Sequence, residues 1–140
     1  MADPQKTILI LDDEPNILRS IQRSLRKEKM TILTATTAAE ALQLMEDNEV
    51  QVVISDYMMP QINGIEFLEV VKHQYPLTVR VMFSGYADSQ AYLDAINRCE
   101  IFRFLMKPVQ ISDLKKTLEQ SFTQYEKGKT FYQKDPDSNM

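Results

Sequence analysis

Carboxylates follow two apolar runs of this sequence. Asp12 and Asp13 come directly after ILIL (8–11), and Asp56 comes directly after VVIS (52–55). Three carboxylates that meet in one crevice repel each other, and a hard divalent cation with oxygen ligands is the ordinary relief. If the fold brings these acids together, they can hold a metal ion such as Mg²⁺.

A hydroxyl and a lysine follow two further apolar runs. Ser84 comes after VRVMF (79–83), and Lys107 and Pro108 come shortly after IFRFL (101–105). Taken singly, each polar residue at these run ends has an ordinary explanation as a turn former, a helix cap or a solvated side chain. Taken together, three acids, a hydroxyl and a lysine are suited to bind a phosphoryl group beside a metal ion.

The nucleophile in such a site would be a carboxylate. The sequence lacks the GxxxxGK[ST] and GxGxxG motifs of nucleotide sites. Its only histidine, His73, lies in a stretch of helical periodicity, which does not suit a Ser-His or Cys-His nucleophile at the strand ends. Asp56 is the best placed acid to form an aspartyl-phosphate. Two hypotheses stay open, a phosphoacceptor in signalling and a Mg²⁺-dependent phosphohydrolase.

The elements that must position these residues alternate regularly. Five βα units predict a doubly wound α/β fold, with a parallel sheet covered by helices on both faces. The polar residues then lie at the carboxyl edge of the sheet, where ligands of such folds bind. We expect strands at 7–11, 31–35, 51–55, 79–83 and 101–105, and helices at 15–28, 37–47, 63–74, 88–98 and 111–125.

Length and composition set broader limits. A chain of 140 residues, 44% hydrophobic and 26% charged, fits one domain, which we expect to cover residues 1–125, with 126–140 as a polar tail or the start of a linker. No apolar run approaches the ~20 residues of a membrane span, and no secretion signal is recognisable, so we expect a cytoplasmic protein without membrane contact. The net charge of -4 argues against direct nucleic-acid binding. The one cysteine, Cys99, can form no internal disulfide.

Four motifs, in order and at the expected intervals, resemble the receiver domain of bacterial two-component response regulators. They are ILDDE (10–14), DYMMPQINGIEFL (56–68), MFSGY (82–86) and FLMKP (104–108). The resemblance covers about residues 6–125. It implies a flavodoxin-like (βα)5 fold with strand order 2-1-3-4-5.

The resemblance also implies a role for each acid. Asp56 resembles the phosphoacceptor, which takes a phosphoryl group from a histidine kinase or a phosphotransfer protein. Asp12 and Asp13 resemble the acidic pair that, with Asp56 and the backbone carbonyl of Met58, holds Mg²⁺ or Mn²⁺. Lys107 resembles the lysine that contacts the phosphoryl oxygens.

Further positions match the switch of the family. Ser84 resembles the hydroxyl that moves toward the phosphoryl group, and Phe104 resembles the aromatic residue that turns inward behind it. The resemblance implies that this movement alters the face made by the fourth helix, the fifth strand and the fifth helix. It also implies a cis peptide bond between Lys107 and Pro108.

Two positions depart from the family toward larger side chains. Met58 and Tyr86 stand where receivers often carry polar residues that influence hydrolysis of the phosphoryl group. We therefore expect the phosphoryl group on Asp56 to be lost slowly. Met58 also stands where phosphohydrolases of the haloacid-dehalogenase type carry a second aspartate, which argues against the enzyme hypothesis.

The resemblance implies partners rather than a substrate. A receiver catalyses only its own phosphorylation and dephosphorylation, so we expect no enzyme of another kind. The expected partners are the phosphodonor protein and a downstream protein or fused effector domain. A phosphorylation-dependent homodimer through the fourth helix, fifth strand and fifth helix is a further option. The chain could be a stand-alone receiver or the first part of a longer regulator.

Overall fold

A five-stranded parallel sheet forms the centre of the protein. The computed structural model describes residues 6–85 and 89–134, the last three of these by their backbone alone. The strands lie in the order β2-β1-β3-β4-β5, and every neighbouring pair is parallel, which confirms the predicted fold class and strand order. They are β1 (Thr7–Leu11), β2 (Thr31–Ala35), β3 (Val52–Asp56), β4 (Val79–Ser84) and β5 (Arg103–Met106).

Five helices cover the sheet on both faces. They are α1 (Pro15–Leu25), α2 (Ala38–Asp47), α3 (Gly64–Gln74), α4 (Ser89–Cys99) and α5 (Ile111–Lys134). Helices α2, α3 and α4 pack on one face, and α1 and α5 pack on the other. Because both faces are covered, β1, β3 and β4 are buried at every position, which explains why their sequences are apolar almost throughout.

Side-chain caps fix the start of two helices near the carboxyl edge of the sheet. Thr37 Oγ1 accepts a hydrogen bond from the Glu40 amide at 3.1 Å, and Glu40 Oε1 accepts one from the Thr36 amide at 2.9 Å. At α3, Asn63 Oδ1 accepts from the Glu66 amide at 2.9 Å. These caps satisfy amide groups that a helix start leaves without partners, so the loops after β2 and β3 end at defined positions.

The fifth strand is shorter than its apolar sequence predicts. The run IFRFL predicted a strand from residue 101, whereas β5 begins at Arg103. Glu100 adopts a left-handed backbone conformation with φ of 51°, and the chain must leave this turn before it can pair with β4. The Phe102 amide donates to the Arg80 carbonyl at 2.7 Å, so pairing starts directly after the turn.

The fifth helix is longer than predicted. The sequence predicted that this helix ends at residue 125, whereas α5 continues without a break to Lys134. Residues 126–134 are mostly good helix formers and contain no proline, so a polar composition does not end the helix. Tyr125 is buried, and its hydroxyl donates to Glu49 Oε1 at 3.1 Å, which holds this part of α5 against the body of the domain. Among the described residues, no helix combines the length and apolar character required to cross a bilayer.

Candidate functional site

The three predicted acids meet at the carboxyl edge of the sheet. Asp12 and Asp13 follow β1, and Asp56 is the last residue of the adjacent strand β3. One carboxylate oxygen from each residue lies within 4.8 Å of the other two. Asp12 is fully buried, and Asp56 is only 5% exposed, so these charges have little access to water.

Lys107 bridges two of these acids. Its Nζ donates a hydrogen bond to Asp12 Oδ2 at 2.9 Å and lies 3.3 Å from Asp56 Oδ1. The ammonium group also lies 4.7 Å from the centre of the Phe83 ring, which shields it from solvent on that side. The site therefore contains one cation against three closely spaced carboxylates.

Main-chain contacts hold the acids and the lysine in place. The Asp12 amide donates to the Ala35 carbonyl at 3.1 Å, and Asp12 Oδ1 accepts from the Glu14 amide at 2.9 Å. The Lys107 amide donates to the Ser84 carbonyl at 2.9 Å, which joins the ends of β5 and β4. Both partners of the ion pair are thus tied to the rigid sheet rather than to a free loop.

The pKa of the Asp56 carboxyl is raised. Burial is the largest cause, and the negative charge of Asp12 adds to it, while Lys107 opposes both. Burial alone would lower the pKa of Lys107, but its hydrogen bond to Asp12 and the charges of Asp12 and Asp56 outweigh burial and raise it. Lys107 is therefore firmly protonated, whereas the surroundings of Asp56 disfavour its charged form.

The donor set of the site fits a hard divalent cation. Three carboxylates offer oxygen ligands within a small volume, which is the ligand type that Mg²⁺ prefers. A cation there would relieve the repulsion that raises the pKa of Asp56. Asp12, Asp13 and Asp56 are the side chains that would hold it.

The loop after Asp56 depends on Gly64, a residue that sequence reasoning did not single out. The Gly64 amide donates to the Tyr57 carbonyl at 2.8 Å and closes the loop. A Cβ atom on Gly64 would lie 2.1 Å from the Asp56 carbonyl oxygen, far inside contact distance. The sequence signal was the glycine in QING, directly after a capping Asn63.

Three further predicted features lie on β4 and β5 or directly after β5. Ser84 is buried at the end of β4, the strand that pairs with β3. Phe104 is partly buried, and its ring makes an edge contact with Tyr92 of α4 at a centroid distance of 5.4 Å. The peptide bond between Lys107 and Pro108 is cis, as the resemblance implied.

Two further predicted residues, Met58 and Tyr86, remain. Met58 lies two residues after Asp56 and is 55% exposed. Tyr86 lies outside the described residues.

An apolar groove of about 350 Å³ adjoins the site on the α1 side. It lies between α1 and the start of α5, and Lys107 forms part of its wall. Ser20 and Ser24 are its polar members on α1. The groove therefore connects Lys107 with an open surface that a larger molecule could contact.

Comparisons with known proteins agree with this geometry. The model of a protein family described as the response regulator receiver domain matches residues 8–119. The hydrogenase transcriptional regulatory protein HoxA of Cupriavidus necator is 36% identical over 108 residues, which are 77% of this chain and 22% of that protein. The chain thus spans about a quarter or less of the length of the HoxA relatives it matches.

Solved structures show the same fold. The signal receiver domain of an HD domain-containing protein from Pseudomonas fluorescens Pf-5 superposes with a TM-score of 0.88 at 32% identity, covering 93% of this chain and 96% of that one. The beryllofluoride-activated NtrC4 receiver domain dimer gives a TM-score of 0.79 at 27% identity, covering 85% of this chain and 98% of that one.

Proposed function

Because the chain belongs to the response regulator receiver domain family, we propose that it is a phosphoacceptor of two-component signal transduction in which Asp56 accepts the phosphoryl group. The observation that carries this proposal is the position of Lys107, within 2.9 Å of Asp12 and 3.3 Å of Asp56, at the edge of three converging carboxylates. An aspartate that only formed a turn would not need to share a partly buried cation with another acid.

Transfer of the phosphoryl group follows from this arrangement. A carboxylate oxygen of Asp56 forms a bond to phosphorus while the bond from phosphorus to the histidine nitrogen of the donor breaks. The electron pair of that bond remains on the donor imidazole. Lys107 turns its N–H groups from Asp12 and Asp56 to the phosphoryl oxygens and neutralises part of their charge.

The acidic residues support the same step. Asp12, Asp13 and Asp56, with the backbone carbonyl of Met58, would hold Mg²⁺ or Mn²⁺. When bound, such a cation supplies positive charge beside the phosphoryl oxygens. We propose no turnover of an external substrate, so catalysis is limited to phosphorylation and dephosphorylation of the chain itself.

The phosphodonor protein would dock on the groove beside α1. Lys107 belongs both to this groove and to the site, so a protein bound there lies next to Asp56. Exposed polar residues on α1, such as Asn16, Arg19 and Arg23, would determine which kinase binds. Charge and shape of this helix, rather than the buried acids, would decide which donor is accepted.

Ser84 and Phe104 would transmit the effect of phosphorylation to the α4–β5–α5 face. A phosphoryl group adds strong acceptor oxygens, toward which the Ser84 hydroxyl can donate. Phe104 then fills the space behind it, which changes its edge contact with Tyr92 and shifts the population of two states of the α4–β5–α5 face. We propose a downstream protein, a fused effector domain or a second copy of the chain as the reader of this face.

The test is phosphorylation by a small donor. Incubation with acetyl phosphate and Mg²⁺ should add one phosphoryl group by intact mass, and Asp56→Asn should abolish the adduct. Glu119→Gln, an exposed change on α5, is the matched control and should leave the yield unchanged. An adduct that survives Asp56→Asn, or release of nitrophenol from p-nitrophenyl phosphate over many turnovers, would contradict the proposal.

A further inference from the structure

A buried arginine lies away from the phosphoryl site at the start of β4. Arg80 is 8% exposed although its guanidinium carries a charge. Burial lowers its pKa, and the charge of Glu100 opposes this, but a guanidinium stays protonated at neutral pH. A buried charge of this kind is retained only where its donors are satisfied.

Four main-chain carbonyl oxygens accept hydrogen bonds from this guanidinium. Nε donates to the Cys99 carbonyl at 2.7 Å, and Nη2 reaches the Glu100 carbonyl at 3.5 Å. Nη1 donates to the Thr78 carbonyl at 3.0 Å and reaches the Pro76 carbonyl at 3.4 Å. One planar side chain therefore joins the loop before β4 to the end of α4.

The acceptors on α4 are the ones that a helix end leaves without partners. Cys99 is the last residue of α4, and Glu100 turns the chain away with its left-handed φ of 51°. Carbonyl groups at a helix C-terminus carry the negative end of the helix dipole, which favours a cation. The charge of Arg80 is thus balanced by the end of the helix itself.

Exposed ion pairs also attach the C-terminal end of α4 to α3. Lys72 of α3 donates to the Arg98 carbonyl at 3.3 Å and lies 3.5 Å from Glu100 Oε1. Arg98 in turn pairs with Glu69 of α3. These contacts are open to solvent and contribute little individually, whereas the guanidinium is buried and joins the same end of α4 to the loop before β4.

We propose that Arg80 is a positioning residue that fixes the C-terminal end of α4, so that phosphorylation moves the N-terminal part of the helix about this fixed end. The inference rests on the proposed function, because it concerns how the signal from Asp56 reaches the α4–β5–α5 face. The main chain of Arg80 also accepts a hydrogen bond from Phe102, so the same residue sets where β5 begins. Arg80 touches neither the acids nor Lys107 and takes no part in phosphoryl transfer.

Amide hydrogen exchange, with and without acetyl phosphate and Mg²⁺, tests this proposal on the full chain. In the wild type we expect phosphorylation to change exchange at residues 89–93 and to leave residues 97–101 unchanged. In Arg80→Met, exchange at 97–101 should be about ten-fold faster before phosphorylation, and the phosphorylation-dependent change should extend along the whole helix. Arg80→Lys keeps a charge but lacks the planar fork, and it should give an intermediate result.

Leu118→Ala is the control for loss of stability. Leu118 is buried on the opposite face of the sheet, so its truncation destabilises the fold without touching α4. The proposal is overturned if this variant also spreads the change along α4, or if the wild-type change is uniform over the helix. Intact mass of the same samples distinguishes failure of the proposed function from failure of this inference. A missing adduct contradicts phosphorylation of Asp56. The unphosphorylated samples still test whether Arg80 fixes the C-terminal end of α4.

Discussion

At the scale of single residues, the surroundings of Asp56 disfavour its ionised carboxylate in the folded protein. Its folded pKa is raised by burial and by Asp12, so the protonated carboxyl stabilises the fold and this contribution is lost as pH rises through the folded pKa. At pH 7 the ionised group is therefore unfavourable in the fold. We expect Asp56→Asn to increase the free energy of unfolding by about 1 kcal/mol in metal-free buffer, measured by urea denaturation.

The same comparison of wild type with Asp56→Asn should give a different result in the presence of Mg²⁺. Added Mg²⁺ should stabilise the wild type more than Asp56→Asn, because the variant offers one carboxylate fewer, and the difference between them should shrink. Glu119→Gln should change stability by no more than about 0.5 kcal/mol in either buffer. A less stable Asp56→Asn at pH 7 without metal would show that the ion pair with Lys107 outweighs burial.

We predict that Met58 affects the lifetime of the proposed phosphoryl group on Asp56. Its large apolar side chain stands two residues after Asp56, where a polar side chain could orient the attacking water. We expect Met58→Asn to speed loss of the phosphoryl group on the order of ten-fold, or about 1.4 kcal/mol of barrier, followed by intact mass after removal of the donor. Gln61→Asn in the same loop should have no such effect, and equal lifetimes for wild type and Met58→Asn would contradict the role of Met58.

At the scale of elements, alanine substitutions of two helix glycines, Gly64 and Gly128, should change the free energy of unfolding in opposite directions. Gly64, at the start of α3, has the Asp56 carbonyl where a Cβ would lie, whereas a Cβ on Gly128 would meet Leu77 Cδ2 at an ordinary 3.4 Å. Gly64→Ala should lower the free energy of unfolding by about 3 kcal/mol. Gly128→Ala should raise it by about 1 kcal/mol, because alanine favours a helix interior.

Phosphorylation yields should separate these two variants as well. Gly64→Ala displaces the loop that follows Asp56 and should reduce the adduct formed with acetyl phosphate. Gly128 lies far along α5 from the site, so Gly128→Ala should phosphorylate like the wild type. A normal yield in a folded Gly64→Ala would mean that the loop tolerates the displacement.

Alternation of strands and helices was readable from the sequence because burial on both faces demands apolar strands. The convergence of Asp12, Asp56 and Lys107 followed from the single rule that parallel strands end at one edge. The start of β5 was not readable, since it depends on the backbone of Glu100 rather than on hydrophobicity. Nor were the contacts of Arg80 with the end of α4, because the Cys99 and Glu100 carbonyl groups are distant in sequence and carry no side-chain signal.

At the scale of the whole molecule, the two cores on either side of the sheet are expected to unfold together. Strands β1, β3 and β4 contribute alternate residues to both cores, so neither can be lost without exposing the other. Cys99 is a natural reporter of this event. It is fully buried at the end of α4, and its thiol donates to the Ile65 carbonyl of α3 at 3.2 Å.

Burial raises the pKa of the Cys99 thiol to about 11, so the folded protein holds almost no thiolate at pH 8. We expect iodoacetamide to label Cys99 only through global unfolding, with a rate that follows stability. Gly128→Ala should then slow labelling about five-fold, and Gly64→Ala should speed it on the order of 100-fold, each measured by intact mass. Equal labelling rates in both variants would instead show that α4 opens locally. Arg80→Met should release the end of this helix. Its Cys99 should therefore be labelled faster than the loss of global stability alone would explain.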